Sequence, residues 1–169
     1  MTTTPIDGHD GPYPAPIAVD AQQVLPEWID YNGHMNVGYY GVAFGRAIEQ
    51  IFVAHIGNGE RHVRASGQGL YVLQSQFQFL RELKVGQAFE VSFLLIDHDH
   101  KRVHFWSELS VEGQVCATQE VLAMHVHHKS ARSVAFPAWL QRRLARLLAD
   151  HAPLPRPSQL GASLGIRRG

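Results

Sequence analysis

The chain has 169 residues, a length typical of one domain, and its 15 Lys and Arg residues balance its 15 Asp and Glu residues. A net charge of zero argues against nucleic acid or an anionic membrane as the main partner. The single cysteine, Cys116, excludes an internal disulfide framework and is expected to be a small buried side chain. No signal peptide is visible, so we expect a cytoplasmic protein.

The N-terminal third is predicted to contain a flexible leader, an edge strand and a long helix. Residues 1–16 are rich in Thr, Pro and Gly, which is typical of a mobile segment. Residues 17–25 are a short apolar run suited to an edge strand. Across residues 37–56, apolar side chains recur at three- and four-residue steps and predict a helix of roughly 30 Å. Asn36 is the expected N-cap, and Gly57 is expected to end the helix.

Three glycines inside the predicted helix require a structural explanation. Gly38, Gly41 and Gly45 should each weaken a helix by up to about 1 kcal/mol relative to alanine. We expect them to lie where another backbone, such as that of a sheet, packs closely against the helix. The glycines and the charged residues Arg46 and Glu49 exclude a membrane span. The sequence therefore predicts a central helix buried against a sheet.

The rest of the chain predicts an antiparallel sheet followed by a second helix. Residues 58–69 are polar and contain glycine, which indicates a loop. Four strand patterns with short polar turns between them follow at residues 70–80, 88–96, 102–111 and 114–127. Residues 137–151 form an amphipathic pattern, and residues 152–169 are a Pro- and Gly-rich tail. We predict one α+β domain over residues 17–151, with a five-stranded antiparallel sheet wrapped around the long helix.

Four polar side chains crowd the segment just before the predicted helix. Asp30, Asn32, His34 and Asn36 place a carboxylate, two carboxamides and an imidazole within seven residues. One interpretation is a polar loop that turns the chain and caps the helix, for which one of the four would suffice. The other is an active site, because the free N–H groups and the dipole of a helix N-terminus favour a developing negative charge. The spacing alone leaves both interpretations open.

These residues resemble those of the hotdog-fold thioesterases. The pattern Asp30-x-Asn32-x-His34-x-Asn36-x-x-x-Tyr40 is similar to the signature of acyl-carrier-protein and acyl-CoA thioesterases of that fold. A longer stretch, about residues 24–137, resembles the betainyl-CoA thioesterases associated with carnitine breakdown. The matching segments are residues 26–36, 80–82, 99–104, 117–120 and 125–126.

The resemblance implies that the protein hydrolyses an acyl-CoA thioester without a cofactor. It makes Asp30 the key carboxylate, which either attacks the carbonyl carbon or activates a water molecule. Backbone N–H groups near the helix N-terminus would hold the oxyanion, and Asn32 and His34 would orient the reacting groups. The chemistry agrees, because a thiolate leaves without an acid catalyst. One positioned carboxylate and an oxyanion hole are therefore sufficient.

The resemblance also implies a substrate site at the interface of a homodimer or homotetramer. The residues predicted to bind the substrate are Trp28, Gly33, Asn36, Tyr40, Tyr71 and Gln74. The residues predicted to bind the phosphates of CoA are Arg81, Lys101 and Arg102. The betainyl-CoA enzymes carry a Glu-x-His pair where this chain has Gln74-Ser75-Gln76. This departure removes a negative charge that would attract a trimethylammonium group, so the acyl group is left open between betainyl and another short acyl group.

Eleven histidines raise the question of a metal site. His98 with His100, and His125 with His127, each place two imidazoles on one face of a strand or turn. No further ligand pattern completes a closed site, so we predict an exposed turn at residues 97–101 and no bound metal.

Three functions from different classes are consistent with these sequence features. The first is the thioesterase. The second is a hotdog-fold enoyl-CoA hydratase, which uses an Asp and a His in a similar loop, but with one residue more between them than separates Asp30 from His34. The third is a non-catalytic acyl-CoA-binding protein, against which the intact Asp30 argues, since a binder gains nothing from a carboxylate facing a thioester. The spacing favours the thioesterase.

Overall fold

The computed structural model describes residues 4–166, apart from the side chain of Asp20. A 3₁₀ turn (Pro26–Trp28) precedes the first long helix, and a π-helical turn (Phe52–Ile56) follows it. None of the helices in this described part is long and apolar enough to cross a membrane. In chain order the elements are β1 (Ile17–Gln23), α1 (Val37–Ile51), α2 (Glu60–Ser66), β2 (Gln68–Phe79), β3 (Ala88–His98), β4 (Arg102–Val111), β5 (Gln114–His127), β6 (Arg132–Ser133) and α3 (Ala138–His151).

The five main strands form one antiparallel sheet in the order β1-β3-β4-β5-β2, and the short β6 adds to the end of β5. Side chains alternate across the strands, so that Phe89, Val91, Phe93 and Leu95 of β3 are all buried in the core shared with the helices. The predicted α+β arrangement is confirmed, and β4 and β5 have the predicted bounds. The strands β1 and β2 occupy the two edges of the sheet.

Helix α1 packs one apolar face against this sheet. Its buried residues recur at steps of three and four, as expected for one helical face, and are Tyr40, Ala43, Phe44, Ala47 and Ile51. Asn36 is the N-cap, as predicted, and accepts a hydrogen bond from the Gly38 N–H at 3.0 Å. Gly57 follows the π-helical turn with φ of +85°, in the left-handed region that glycine tolerates.

The expected close packing of the three helix glycines against the sheet is wrong. Gly38, Gly41 and Gly45 are all exposed. A Cβ at Gly45 would meet no atom within 4 Å, and a Cβ at Gly41 would lie 3.9 Å from the ring of Phe77. The helix buries the face with the larger apolar side chains, which leaves part of its small-residue face uncovered.

The predicted loop at residues 58–69 is also wrong, because this segment contains helix α2. An ion pair one turn apart, between Glu60 and Arg64, supports the helix, and Gly67 ends it with φ of +67°. His62 is buried and its ring contacts that of Trp139 in α3, with centroids 5.4 Å apart. Seven residues are too few for a helical period to be recognised from apolar spacing.

Part of the predicted leader contacts the helices. Tyr13 is buried, and Arg143 of α3 donates hydrogen bonds to the Asp10 carboxylate and to the Asp7 backbone carbonyl, both at 2.7 Å. Residues 1–3 lie outside the described residues. The mobility expected for residues 1–16 stays a prediction.

The tail after α3 crosses the outer side of the sheet. The Gly161 N–H donates to the Glu120 carboxylate at 2.8 Å, and the Gln76 amide donates to the Ala162 carbonyl at 2.6 Å. Residues 167–169 lie outside the described residues. The domain boundaries at residues 16 and 151 stay predictions.

Candidate functional site

The polar segment before α1 folds into a tight turn. The Asp30 N–H donates to the His34 carbonyl at 3.1 Å, and the Gly33 N–H donates to the Asp30 carbonyl at 3.0 Å. Gly33 has φ of +80°, so only glycine adopts this turn without strain. The Met35 N–H donates to the Leu83 carbonyl at 2.7 Å, which fixes the turn against the segment after β2.

The carboxylate of Asp30 is held by two donors from this turn. Its Oδ1 accepts from the Asn32 backbone N–H at 2.8 Å, and its Oδ2 accepts from the Asn36 side-chain amide at 3.2 Å. These hydrogen bonds, led by that of Asn32, outweigh desolvation and hold the pKa of Asp30 below its usual value. Asp30 is therefore ionised at neutral pH, as a base or a nucleophile must be.

Three of the predicted site residues contribute in different ways. Asn32 holds Asp30 through its backbone N–H, and its side chain is exposed. Asn36 uses its carbonyl oxygen to cap α1 and its amide to bind Asp30. The Nε2 atom of His34 lies 3.9 Å from a carboxylate oxygen of Glu82, which is not among the predicted site residues.

A cavity of about 370 Å³ opens beside this turn. Among the hydrogen bonds of residues 4–166, none is donated by the Val37 N–H, the first of α1, whereas the neighbouring Gly38 N–H is bound to the cap. The cavity is thus lined by the ionised Asp30 and by Val37, whose N–H donates to no acceptor among the described residues. Its lining residues are Asp30, His34, Met35, Asn36, Val37, Tyr40, Phe79, Leu80, Arg81 and Glu82.

Tyr40 and Phe79 form the apolar wall of this cavity. Their rings meet edge to face, with centroids 4.9 Å apart. Burial raises the pKa of Tyr40 to about 12, so its hydroxyl is neutral at physiological pH. Of the residues predicted to bind CoA, Arg81 lines this cavity.

Trp28, which the sequence predicts to bind the substrate, does not line the cavity. Its ring is buried, stacked on Tyr39 at 5.7 Å and covered by the Arg46 guanidinium at 5.3 Å. Both neighbours come from α1, where they are two turns apart, and they enclose the Trp28 ring. The spacing of residues around Trp28 in the sequence does not reveal these contacts.

Tyr71 and Gln74 lie at two other places on β2. Tyr71 lines a second cavity, of about 590 Å³, between the C-terminal part of α1, α2 and β2. Gln74 lines a cavity on the outer side of the sheet, together with His104, Glu120 and the tail. Within one chain, neither residue is in the group around Asp30.

Lys101 and Arg102 are in the β3–β4 hairpin, away from Asp30. Lys101 donates to the Ser133 hydroxyl at 3.4 Å, and Arg102 forms an ion pair with Asp99 at 2.6 Å. The Lys101 carbonyl accepts from the His125 N–H in β5, whereas the Arg81 N–H donates to the carbonyl of Cys116 near the start of that strand. Cys116 and His125 are nine residues apart on β5, which is a distance of about 30 Å along the strand. Arg81 is therefore far from Lys101 and Arg102, and the three predicted CoA-binding residues do not form one cluster in a single chain.

The histidines are dispersed in the structure. His125 is fully buried beside His62, with ring centroids 6.3 Å apart, and His104 forms an ion pair with Glu120 at 2.8 Å. Within residues 4–166, no three His, Cys, Asp or Glu side chains are arranged to hold a metal ion. Cys116 is buried, as predicted.

Comparison with protein families gives a match over most of the chain. The model of the thioesterase-like superfamily matches residues 24–144. A betainyl-CoA thioesterase of Pseudomonas aeruginosa is 37% identical over 145 residues, which cover 85% of this chain and 91% of that protein.

Solved structures show the same architecture. A Staphylococcus aureus protein solved in complex with CoA has a TM-score of 0.82 and 27% identity, and the match covers 90% of this chain and 96% of that one. A 1,4-dihydroxy-2-naphthoyl-CoA thioesterase of Synechocystis has a TM-score of 0.66 at 13% identity, covering 77% of this chain and 96% of that one. The second similarity concerns the fold alone. The hotdog fold predicted from the sequence is confirmed.

Proposed function

Because the chain belongs to the thioesterase-like superfamily, we propose that it hydrolyses an acyl-CoA thioester to the free acid and CoA, with betainyl-CoA as the first substrate candidate. The observation that carries this proposal is the ionised Asp30 carboxylate beside a free helix N–H. The 37% identity to a betainyl-CoA thioesterase supports the choice of acyl group.

Asp30 is proposed to supply the nucleophile. In one route its carboxylate takes a proton from water as the water oxygen attacks the carbonyl carbon; the carbonyl electron pair then returns, the C–S bond breaks and the thiolate leaves. In the other route the carboxylate attacks the carbonyl carbon directly, the C–S bond breaks and the thiolate leaves, and water then hydrolyses the resulting mixed anhydride to the acid and the Asp30 carboxylate. Both routes need an ionised carboxylate, which the lowered pKa of Asp30 supports.

The Val37 N–H is the candidate for the oxyanion hole. Val37 lines the Asp30 cavity, and its N–H is the first of α1, at the positive end of the helix dipole, where a developing oxyanion would be stabilised. The loss of one such donor typically costs about 2.7–4 kcal/mol of transition-state stabilisation. Asn32 and His34 keep their proposed role of orienting Asp30 and the water or carbonyl.

A second copy of the chain is proposed to pair along β2. This strand is 12 residues long and its outer edge has no partner strand in the described chain. Unpaired edges of this length favour pairing with another strand. Large apolar side chains are exposed along and just beyond it, namely Tyr71, Val72, Leu73, Phe79 and Leu80.

Pairing of β2 with β2 in a homodimer would also complete the site. In an antiparallel pair related by a two-fold axis, the end of each strand lies beside the beginning of the other. Phe79 and Leu80 line the Asp30 cavity, and Tyr71 and Val72 line the second cavity. The dimer would therefore join the Asp30 cavity of each subunit to the second cavity of its partner.

Thiol release from a panel of acyl-CoA esters tests the proposed activity. The panel contains betainyl-CoA, short aliphatic esters and an aromatic ester, and a parallel assay follows the hydration of crotonyl-CoA. We expect thiol release with at least one short ester, fastest with betainyl-CoA. Hydration of crotonyl-CoA without thiol release would favour the lyase, and tight binding of the esters without either reaction would favour the binding protein.

A further inference from the structure

The second cavity has an apolar interior suited to a compact group. Its volume is about 590 Å³, and it lies between the end of α1, helix α2 and strand β2. The apolar side chains that line it are Ile48, Phe52, Val63, Leu70, Phe105 and Val121.

One polar side chain in this cavity is buried without a partner. Asn58 is 5% exposed, and neither its amide nitrogen nor its carbonyl oxygen makes a hydrogen bond in the described structure. A buried amide without partners is costly, because its polar groups lose their hydrogen bonds to water without replacement. Its carbonyl dipole provides a negative end for a ligand, and its position on the cavity wall indicates that a ligand or solvent completes its contacts.

The charge at the cavity mouth is negative. Glu49 and Glu60 both line it, and the Glu49 carboxylate accepts a hydrogen bond from the Glu60 backbone N–H at 3.2 Å. Glu60 forms an ion pair with Arg64, whereas Glu49 makes no ion pair among the described residues. The carboxylate of Glu49 is therefore available to a cation.

Aromatic rings line the same cavity. Tyr71 is 46% exposed and its ring lies 5.3 Å from that of His128, while Phe52 and Phe105 contribute from the interior. Aromatic faces with a nearby carboxylate are the surroundings in which quaternary ammonium groups bind, because these groups carry charge on an apolar surface. A plain aliphatic group would use the walls but not Glu49.

The cavity is out of reach of Asp30 in the same chain. From Asn36, which binds Asp30, to Glu49 is 13 residues of helix, or about 20 Å. A betainyl group extends only a few bonds from its carbonyl carbon. The β2–β2 pairing proposed above brings the cavity of one subunit beside the Asp30 turn of the other.

We propose that this cavity binds the quaternary ammonium group of an acyl chain whose thioester is hydrolysed at Asp30 of the partner subunit. Glu49 supplies the counter-charge, the carbonyl of Asn58 supplies a dipole, and Tyr71 supplies an aromatic face. This inference rests on the proposed thioesterase function and names the feature that would select its substrate. Gln74 of β2 provides no negative charge for the ammonium group. In this proposal the charge comes from Glu49 of helix α1 instead.

A neutral isostere separates charge recognition from shape. Betainyl-CoA and 3,3-dimethylbutyryl-CoA have the same acyl shape and differ in the quaternary nitrogen or carbon. We expect the wild-type kcat/KM to be at least tenfold higher for betainyl-CoA. Glu49→Gln, which keeps the size of the side chain, should lower the ratio of the two kcat/KM values by about fivefold. The control Glu90→Gln, at an exposed position on β3, should leave the ratio unchanged.

A ratio near one in the wild type, or a ratio that Glu49→Gln does not lower, would overturn the inference while the thioesterase function stands. Absence of thiol release from every ester would overturn the function itself. Calorimetric binding of both esters to Asp30→Asn protein then still tests the cavity. Tighter binding of betainyl-CoA that depends on Glu49 supports charge recognition, and equal binding of the two esters contradicts it.

Discussion

The side chain of Asn36 connects the fold of the turn to the proposed chemistry. Its carbonyl oxygen caps α1, and its amide donates to Asp30 at 3.2 Å. The structural and the proposed catalytic interpretations of this segment are therefore compatible, because one side chain both caps the helix and contacts Asp30. A cap of this kind typically contributes about 1 kcal/mol of stability.

The substitution Asn36→Asp separates these two roles. Aspartate keeps an oxygen for the cap, removes the donor to Asp30 and adds a negative charge beside it, which raises the pKa of Asp30. In the wild type, kcat/KM should stay constant as the pH falls from neutral to the usual range of an aspartate, and should decrease only below it, as Asp30 becomes protonated. In the variant this decrease should move to higher pH. The measurement is the pH profile of kcat/KM for thiol release.

Asn32→Asp is the matched control for this profile. The chemical change is the same, but the side chain of Asn32 is exposed, and Asn32 lowers the pKa of Asp30 mainly through its backbone N–H and only slightly through its side chain. We expect the decrease in kcat/KM at low pH to move less in Asn32→Asp than in Asn36→Asp. An equal or larger displacement would show that the Asn36 amide is not what sets the pKa of Asp30.

The spacing of Asp30, Asn32, His34 and Asn36 predicted that polar groups gather at the start of α1, and it identified the cap. It did not predict that Asn32 acts through its backbone or that Glu82 lies near His34. Those contacts depend on the conformation of the turn and on a segment some 50 residues away, which no local pattern encodes.

The proposed sharing of the site between two subunits depends on strand β2. It has cavities at both ends, one with the proposed catalytic carboxylate and one with the apolar walls, and an edge without a partner strand. An exposed apolar edge of this kind would favour aggregation if left uncovered, which supports the proposal that a second copy covers it.

The substitution Val72→Lys tests this role of β2. Val72 is 62% exposed on the edge strand, and lysine there should oppose pairing of two strands through charge and desolvation. We expect the protein to become monomeric in analytical ultracentrifugation and to lose at least tenfold in kcat/KM, with the fold retained by circular dichroism. Val85→Lys, at a turn residue that is 54% exposed, should remain dimeric and active. A dimeric and active Val72→Lys protein would exclude β2 as the interface.

The elements with a strong period were predicted well, and those set by tertiary contacts were not. The helix over residues 37–56 and the strands β4 and β5 follow from side-chain alternation and turn residues. Helix α2 was missed because seven residues show too little periodicity. The exposure of Gly41 and Gly45 was missed because spacing identifies the buried face of a helix but not what covers the opposite one.

At the scale of the whole molecule, three buried histidines in the described part of the chain resist protonation. Burial lowers the pKa of His62, His125 and His151 below the ordinary value of 6.5. His151 joins three segments, since its Nδ1 accepts from the Leu95 N–H at 3.0 Å and its Nε2 lies 2.9 Å from the Pro14 carbonyl oxygen. In this arrangement the ring is neutral, with the proton on Nε2.

We expect the protein to lose stability in mild acid. In the unfolded chain these histidines take up protons near pH 6.5, whereas in the native state they do so only at lower pH. Between these pH values the unfolded state therefore binds more protons than the native state. The stabilisation is complete above about pH 6.5 and is lost as the pH falls towards the lowered native pKa values. The urea midpoint should therefore be lower at pH 5.5 than at pH 7.5.

The substitution His151→Gln tests whether His151 contributes to this loss of stability in acid. His151→Gln should weaken the dependence of the urea midpoint on pH, whatever its effect on absolute stability, because it removes one titrating side chain. His100→Gln, at an exposed position, should keep the wild-type dependence. Equal midpoints at the two pH values in the wild type would contradict the account of the buried histidines.

The most direct test of the central claim is the rate of thiol release by Asp30→Asn protein, measured with the best ester of the panel. We expect kcat to fall by about 10²–10⁴-fold, since asparagine keeps the size of the side chain but is neither a base nor a nucleophile. Asp97→Asn, which changes an exposed aspartate at the end of β3, should keep the wild-type rate. An Asp30→Asn protein that retains more than a tenth of the wild-type kcat would contradict the assignment of Asp30 as the catalytic carboxylate.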